Sequence, residues 1–348
     1  TGGFDTRIIL ANRENPANSL PCYTFGGMYR DCYDVKVARK IASACKQTHQ
    51  TLRLDKKFLT QFPELAKKVV YITDGAFDIS GAQNLYVNKM ARDIAPIRMT
   101  GNYGQEVLSA YTAFKPVPEN LEIFNKEFLK HINLAKTIYN KTIDCNRLTF
   151  TLFRQAPWFQ YGNYVLEQSQ VIVRSPFMDN DLVKIMYSAQ PKMYNSRRLS
   201  NYLIKNGKNP ELVNILSDRG FLGNLPFLIS KIARLYYEFS FKMEYYSNYG
   251  MPNKLSIFNY FLTNWNLYKL FIERHKYHQL GVWMRYELSN YIKSILLDSK
   301  TLSRPYLSDK QIKKLVKDHF NNFCNNNYTN TINKLVTSEL IQRELIDI

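Results

Sequence analysis

The chain is predicted to be an α/β protein, built on a doubly wound parallel sheet and continued by a large helical part. Three observations predict it. Short β-rich runs alternate with amphipathic helical patterns from Arg7 to Gly101. Glycines gather in loops where predicted strands end or a helix starts, as they do where α/β proteins bind ligands. From about Pro118 onward helical periodicity runs almost throughout, and strands are no longer apparent. The 348 residues suffice for one large domain or two moderate ones. The expected division is an α/β core over residues 1–190 and a helical part over 191–348, packed as one unit.

In chain order, Arg7 to Ala11 begins a helix that stops near Asn15-Pro16, and Pro21 to Gly27 is a short buried strand ending in glycines. Asp34 to Cys45 places Val35, Val37, Ala38, Ile41, Ala42 and Ala44 on one helical face, with Asp34 as N-cap. A strand around Thr51 to Leu54 precedes a helix from Lys57 to Lys67, and Lys68 to Gly75 is either another strand or a helix end. Asn84 to Ile94 is helical. Pro96 to Gly101 is a strand that delivers a hydroxyl and a glycine at its carboxyl end. In the second half, Ser256 to Ile272 reads as a buried helix, too interrupted by Asn259, Asn264, Asn266 and Lys269 to span a membrane. The Tyr and Phe stripes between Phe227 and Tyr277 are expected in the core.

Composition narrows the function classes. With 45% hydrophobic residues the chain is globular, not disordered. The five cysteines are scattered and none forms a CxxC pair, which argues against a zinc site or disulfide framework and for a reducing, cytoplasmic home. The histidines are dispersed; His275 and His278, the close pair, read as residues of an exposed helix. A net charge of +18 raises the question of nucleic acid. The lysines and arginines, however, are scattered along the chain with no basic run exceeding three, as on a solvated basic surface with a site for a polyanionic nucleotide. No signal peptide is visible, and no membrane partner is expected.

The chemistry concentrates in Thr1-Gly2-Gly3-Phe4-Asp5-Thr6. Adjacent glycines let main-chain N–H groups approach an anion, flanking hydroxyls add donors, and Asp5 can hold magnesium, so this pattern at a helix start makes a phosphate cradle. Such short glycine motifs also serve as plain turns, and Asp5 would equally suit a first helical turn. A parallel sheet would bring three loops to one crevice: Thr1 to Thr6, Phe25 to Gly27, and Thr100 to Glu106.

These residues resemble the asparagine synthase domain of the glutamine-dependent amidotransferases and relatives such as β-lactam synthetase, and the match is in order over most of the chain. Thr1 to Thr6 is similar to that family's pyrophosphate loop, S-G-G-x-D-S. Thr24-Phe25-Gly26, Asp34 to Ala42 and His49 are similar to its second strand and helix, whose strand end contacts adenine. Thr100-Gly101-Asn102-Tyr103-Gly104-Gln105-Glu106 stands where the family has S-G-E-G-x-D-E. Arg174-Ser175-Pro176-Phe177-Met178-Asp179, with Leu182-Val183, resembles R-x-P-F-L-D-x-x-L-V, and Leu335 to Glu344 resembles the closing helix.

The resemblance implies a pyrophosphate-loop fold of the adenine nucleotide α-hydrolase type. It also implies an ATP-dependent carbon–nitrogen ligase that adenylates a carboxylate, releases magnesium pyrophosphate and passes the acyl group to ammonia or another amine. ATP would be held by Thr1, Gly2, Gly3, Asp5, Thr6, Phe25, Gly26, Thr100 and Gly101, and Mg2+ by Asp5 with Glu106 and Gln105. Asn102 stands where the family has its general base, and Arg197 or Arg198 aligns with its intermediate-stabilising lysine. The departures matter: Asn102 cannot accept a proton, Gln105 is a poor ligand for a hard cation, and arginine cannot shuttle a proton. ATP binding therefore reads as better preserved than the second half-reaction. The chain opens inside its first motif, so a fragment is expected, lacking the preceding strand and any glutaminase domain that would supply nitrogen. A homodimer is left open. Two rival readings stand beside the ligase: a catalytically silent nucleotide-binding domain, and an RNA-modifying pyrophosphate-loop enzyme, which the charge favours and the missing CxxC pair disfavours.

Overall fold

The computed structural model describes residues 2–14, 16–113, 121–190, 198–216, 227–251, 255, 257–320 and 328–347. The N-terminal part runs α1 (Phe4–Ala11), β1 (Cys22–Gly26), α2 (Tyr33–Ala44), β2 (His49–Arg53), α3 (Lys56–Thr73), α4 (Gly81–Arg92), β3 (Ile97–Met99) and α5 (Gly104–Ser109). Helices α6 (Lys126–Thr142) and α7 (Arg147–Phe150) lead into a π-helix, Thr151–Gln160, which continues as α8 (Tyr161–Gln168). Then come β4 (Ile172–Arg174), a 3-10 turn at Pro176–Met178, α9 (Asn180–Ser188), α10 (Arg198–Lys205) and another 3-10 turn, Pro210–Asn214. The remainder is helical: α11 (Phe227–Tyr249), α12 (Ile257–Asn264), α13 (Leu280–Arg285), α14 (Ser289–Leu296), α15 (Ser299–Leu302), α16 (Asp309–Phe320) and α17 (Thr329–Ile341).

The class is a helix-rich α/β fold with small parallel sheets. β1 pairs with β2 in parallel, from Cys22–His49 to Gly26–Arg53, and β3 pairs with β4 in parallel, from Ile97–Ile172 to Met99–Arg174. Among the described residues these are two separate two-stranded ladders. A side-chain contact links them: the Arg98 guanidinium of β3 donates to the Tyr23 hydroxyl of β1 at 3.4 Å. β4 was not legible in the sequence, because three residues with only Val173 buried carry no period to read.

Lys68 to Gly75 resolves as a helix end. Phe58, Phe62, Ala66, Val69, Val70 and Thr73 keep one face of α3 buried at the helical spacing. Asp74 (φ 50°) and Gly75 (φ 73°) then close the helix in left-handed conformations, with the Gly75 N–H on the Val70 carbonyl at 2.9 Å. α2 begins at Tyr33 with Cys32 as its N-cap residue, so Asp34 falls in the first turn and its carboxylate is turned elsewhere.

The largest core joins α3, α4 and α8 to α13, α14, α16 and α17 around Phe58, Phe62 and the fully buried Trp283. A second core sits under the glycine loop and combines Ile8, Leu10 and Ala11 of α1 with Val37, Ile41, Val107, Leu108, Phe177 and Ile204. Phe177 is thus packed beneath the loops, and α10 docks on α1 through Ile204.

Three readings of the helical part are corrected. α12 buries only Leu262 among its described side chains while Ile257, Phe258 and Phe261 are exposed, so it is not a buried helix. Ile232, Leu235, Tyr236 and Phe239 of α11 are likewise exposed. The buried face of α11 is instead polar: Ser240, Glu244, Ser247 and Asn248 bond to the segment from His275 to Arg285. His275 and His278 lie in the loop before α13, partly buried, rather than on an exposed helix. No helix among the described residues is long and apolar enough to cross a membrane.

Candidate phosphate-binding site

The glycine loop opens directly into α1. Gly3 is the N-cap residue in extended conformation (φ −71°, ψ 164°), and as a glycine it has no side chain with which to cap the first turn. The four leading N–H groups of any helix lack intrahelical partners, and together with the helix dipole they favour an anion. Asp5 stands in that first turn.

The loop after β3 is seated on it. A Cβ placed on Gly101 would lie 2.6 Å from the Thr6 backbone nitrogen, and one on Gly104 would lie 2.4 Å from the Asp5 carboxyl carbon. Only residues without a Cβ allow the two loops to approach this closely. The junction is fixed from behind. The Thr100 N–H donates to the Arg174 carbonyl at 2.9 Å, and the Ser175 hydroxyl donates to the Asn102 carbonyl at 2.5 Å. Tyr103 takes a left-handed conformation (φ 70°) to turn the chain into α5.

Around this junction lies a polar cluster that the sequence did not announce. Glu167 of α8 accepts from Arg98 at 2.5 Å, from Asn163 at 3.2 Å and from the Asn102 side-chain amide at 3.4 Å. Because a carboxylate only accepts, the Asn102 amide presents its NH2 group to Glu167 and leaves its carbonyl for other partners. Asn163 also accepts from Asn84, which accepts from the Tyr277 hydroxyl at 2.5 Å. Glu106 accepts from Gln160 at 2.6 Å, and burial pushes its carboxyl above the usual range. Gln105 lies beside it, partly buried.

On the other flank, the Gly2 N–H donates to the Asp34 carboxylate at 2.5 Å. Phe25 lies in β1 with its ring 5.7 Å from that of Tyr277, and Gly26 faces Thr51, whose methyl would lie 2.6 Å from an added Cβ. Past the strand, Glu273 (φ 57°, fully buried) receives the N–H groups of Met28, Tyr29 and Arg30 at 2.8, 2.6 and 2.9 Å.

The structure thus brings together Gly2, Gly3, Asp5, Thr6, Gly101 and Gly104, with Thr100 and Asn102 at the same junction. Arg198 opens α10 as an exposed residue. Thr1 and Arg197 lie outside the described residues. Among the described residues no group of three His, Cys, Asp or Glu side chains is arranged to hold a metal ion. A magnesium ion here would rest on Asp5 together with phosphate oxygens and water, the usual arrangement for nucleotide-bound magnesium. Arg7, Arg98, Glu167 and Glu273 escaped the sequence because each acts on residues far away in the chain; Asp34 was visible only as a helix-start residue.

A scan against protein-family models gave no match for this chain, and comparison with curated proteins gave none.

Proposed function

We propose that this protein is an asparagine-synthase-like ATP-dependent ligase domain that adenylates a carboxylate, expels pyrophosphate and transfers the acyl group to nitrogen. The observation that carries the reading is the junction of Gly101 and Gly104 with Thr6 and Asp5, which sets a carboxylate and a helix start led by glycine against a second glycine loop. The Gly3 N–H at the helix start would receive the phosphates, and Asp5 would hold Mg2+, which supplies charge neutralisation of the leaving pyrophosphate. Phe25 and Gly26 would flank adenine, and Asn102 would contribute a hydrogen-bonding carbonyl on the acceptor side. On this reading the two parallel ladders belong to one doubly wound sheet, residues 1–190 form the nucleotide core, 191–348 complete the same domain, and the protein works in the cytoplasm. Its partners would be ATP, a carboxylic acid and a glutaminase domain as nitrogen donor.

One observation favours a second reading, a nucleotide-binding domain without turnover. Glu106 is tied to Gln160, and Asn102, an amide that cannot take a proton, is tied to Glu167, so both of these side chains of the facing loop are already engaged. Carboxylate-dependent exchange of labelled pyrophosphate into ATP, with AMP release on adding ammonia or glutamine, is expected of the ligase. ATP binding with no exchange on any amino acid selects the silent domain. Retention on RNA that fades with salt selects an RNA enzyme.

A further inference from the structure

Arg7 is a cation with no exposed surface. One guanidinium nitrogen donates to the Leu212 carbonyl at 3.1 Å and to the Ile215 carbonyl at 2.5 Å; the other donates to the carbonyls of Gly2 and Leu216, both at 3.2 Å. The planar fork therefore spans two segments about two hundred positions apart in the chain: the glycine loop, and the 3-10 turn Pro210–Asn214 with the residues that follow it.

We propose that Arg7 is a positioning residue that sets the glycine loop for the phosphates of its nucleotide, an inference that rests on the adenylating reading above. In a trans peptide the C=O and N–H point in opposite directions. Anchoring the Gly2 carbonyl on the buried guanidinium therefore turns the Gly3 N–H away from Arg7. A peptide between two glycines flips more readily than any other, since neither residue has a Cβ to restrict it. Arg7 prevents the flip that would present the Gly2 carbonyl oxygen to an incoming phosphate. Asp34 holds the preceding N–H, so both polar groups of Gly2 are fixed by side chains. Lysine would keep the charge but, as a single point with three donors, cannot span these four carbonyls.

The test compares wild type with Arg7→Met and Arg7→Lys, each first checked for folding by circular dichroism. Binding of adenosine, ATP and inorganic pyrophosphate is then measured with magnesium present. Arg7→Met is expected to lose about ten- to a hundredfold in affinity for ATP and pyrophosphate with adenosine affinity unchanged, and Arg7→Lys to recover only a small part. Equal losses on all three ligands, or unchanged pyrophosphate binding, overturns the proposal. Wild type that binds neither ATP nor pyrophosphate sinks the adenylating reading itself, and this inference with it. Should neither variant fold, NMR of wild type decides: the Gly3 amide is expected to shift on adding pyrophosphate while the Arg7 guanidinium protons stay slow to exchange. A Gly3 amide indifferent to saturating pyrophosphate counts against the role.

Discussion

The Asp34 carboxylate receives the N–H of Gly2 at 2.5 Å, across thirty-two positions of sequence. A carboxylate so close to a phosphate loop opposes a bare anion, and magnesium offsets that repulsion. Asp34→Asn keeps a hydrogen-bond acceptor and removes the charge. It is expected to tighten magnesium-free pyrophosphate binding several-fold while changing little with magnesium present; titration calorimetry with and without chelator reads both. Unaltered magnesium-free affinity would contradict this account of Asp34.

Asp5 and Gly104 are the second pair to test. Asp5→Ala is expected to abolish magnesium-dependent ATP binding, leaving adenosine binding intact. Gly104→Ala would force a Cβ to 2.4 Å from the Asp5 carboxyl carbon, so it is expected to lower stability by about 1–3 kcal/mol through overpacking. Urea unfolding measures the second effect. A Gly104→Ala protein as stable as wild type would show that the loops separate at little cost.

Glu273 closes the loop after β1 by accepting three backbone N–H groups. Glu273→Ala leaves those donors without their carboxylate and is expected to cost about 3–5 kcal/mol, as removal of one partner from a buried charged cluster does. Glu273→Gln should cost less, because one carbonyl oxygen remains. Thermal unfolding of the two variants ranks them, and the reverse order would refute the bonding scheme.

The contact between α11 and the loop before α13 makes stability depend on pH with two opposing signs. Burial raises Glu244 from 4.5 to about 7. The unfolded chain therefore loses this proton first, and stability falls as pH rises from about 4.5 to about 7, by on the order of 3 kcal/mol. Burial lowers His275 from 6.5 to about 4. There the unfolded chain gains the proton first, so stability falls as pH drops from about 6.5 to about 4. The two slopes offset each other in their shared range. Glu244→Gln is expected to expose the histidine slope, stability rising with pH between 4 and 6.5, and urea midpoints across that range would detect its absence.

The alternation from α1 to β3 was legible because each buried face repeats at its own period: Val35, Val37, Ala38, Ile41 and Ala42 in α2, or Phe58, Phe62, Ala66, Val69 and Val70 in α3. The aromatic stripes of α11 and α12 had the same kind of period and pointed the wrong way. Periodicity shows that a face is apolar, and does not show whether a neighbour covers it. The buried face of α11 is chosen by Ser240, Glu244 and Asn248, whose partners, the His275 ring and the His275 and Val282 N–H groups, only folding brings to them.

What the sequence by itself determined is local: most of the helices and strands from α1 to β3, where glycines open the chain to close approach, and that Asp5 suits a first helical turn. What only the tertiary structure decided is which distant groups meet there. Arg7 reaches carbonyls at 212, 215 and 216, Asp34 reaches Gly2, and Glu167 gathers Arg98, Asn163 and Asn102. A hydrogen bond between segments so far apart leaves no periodic trace in either one. Its geometry exists only once the apolar cores under α1 and around Trp283 have brought the segments together.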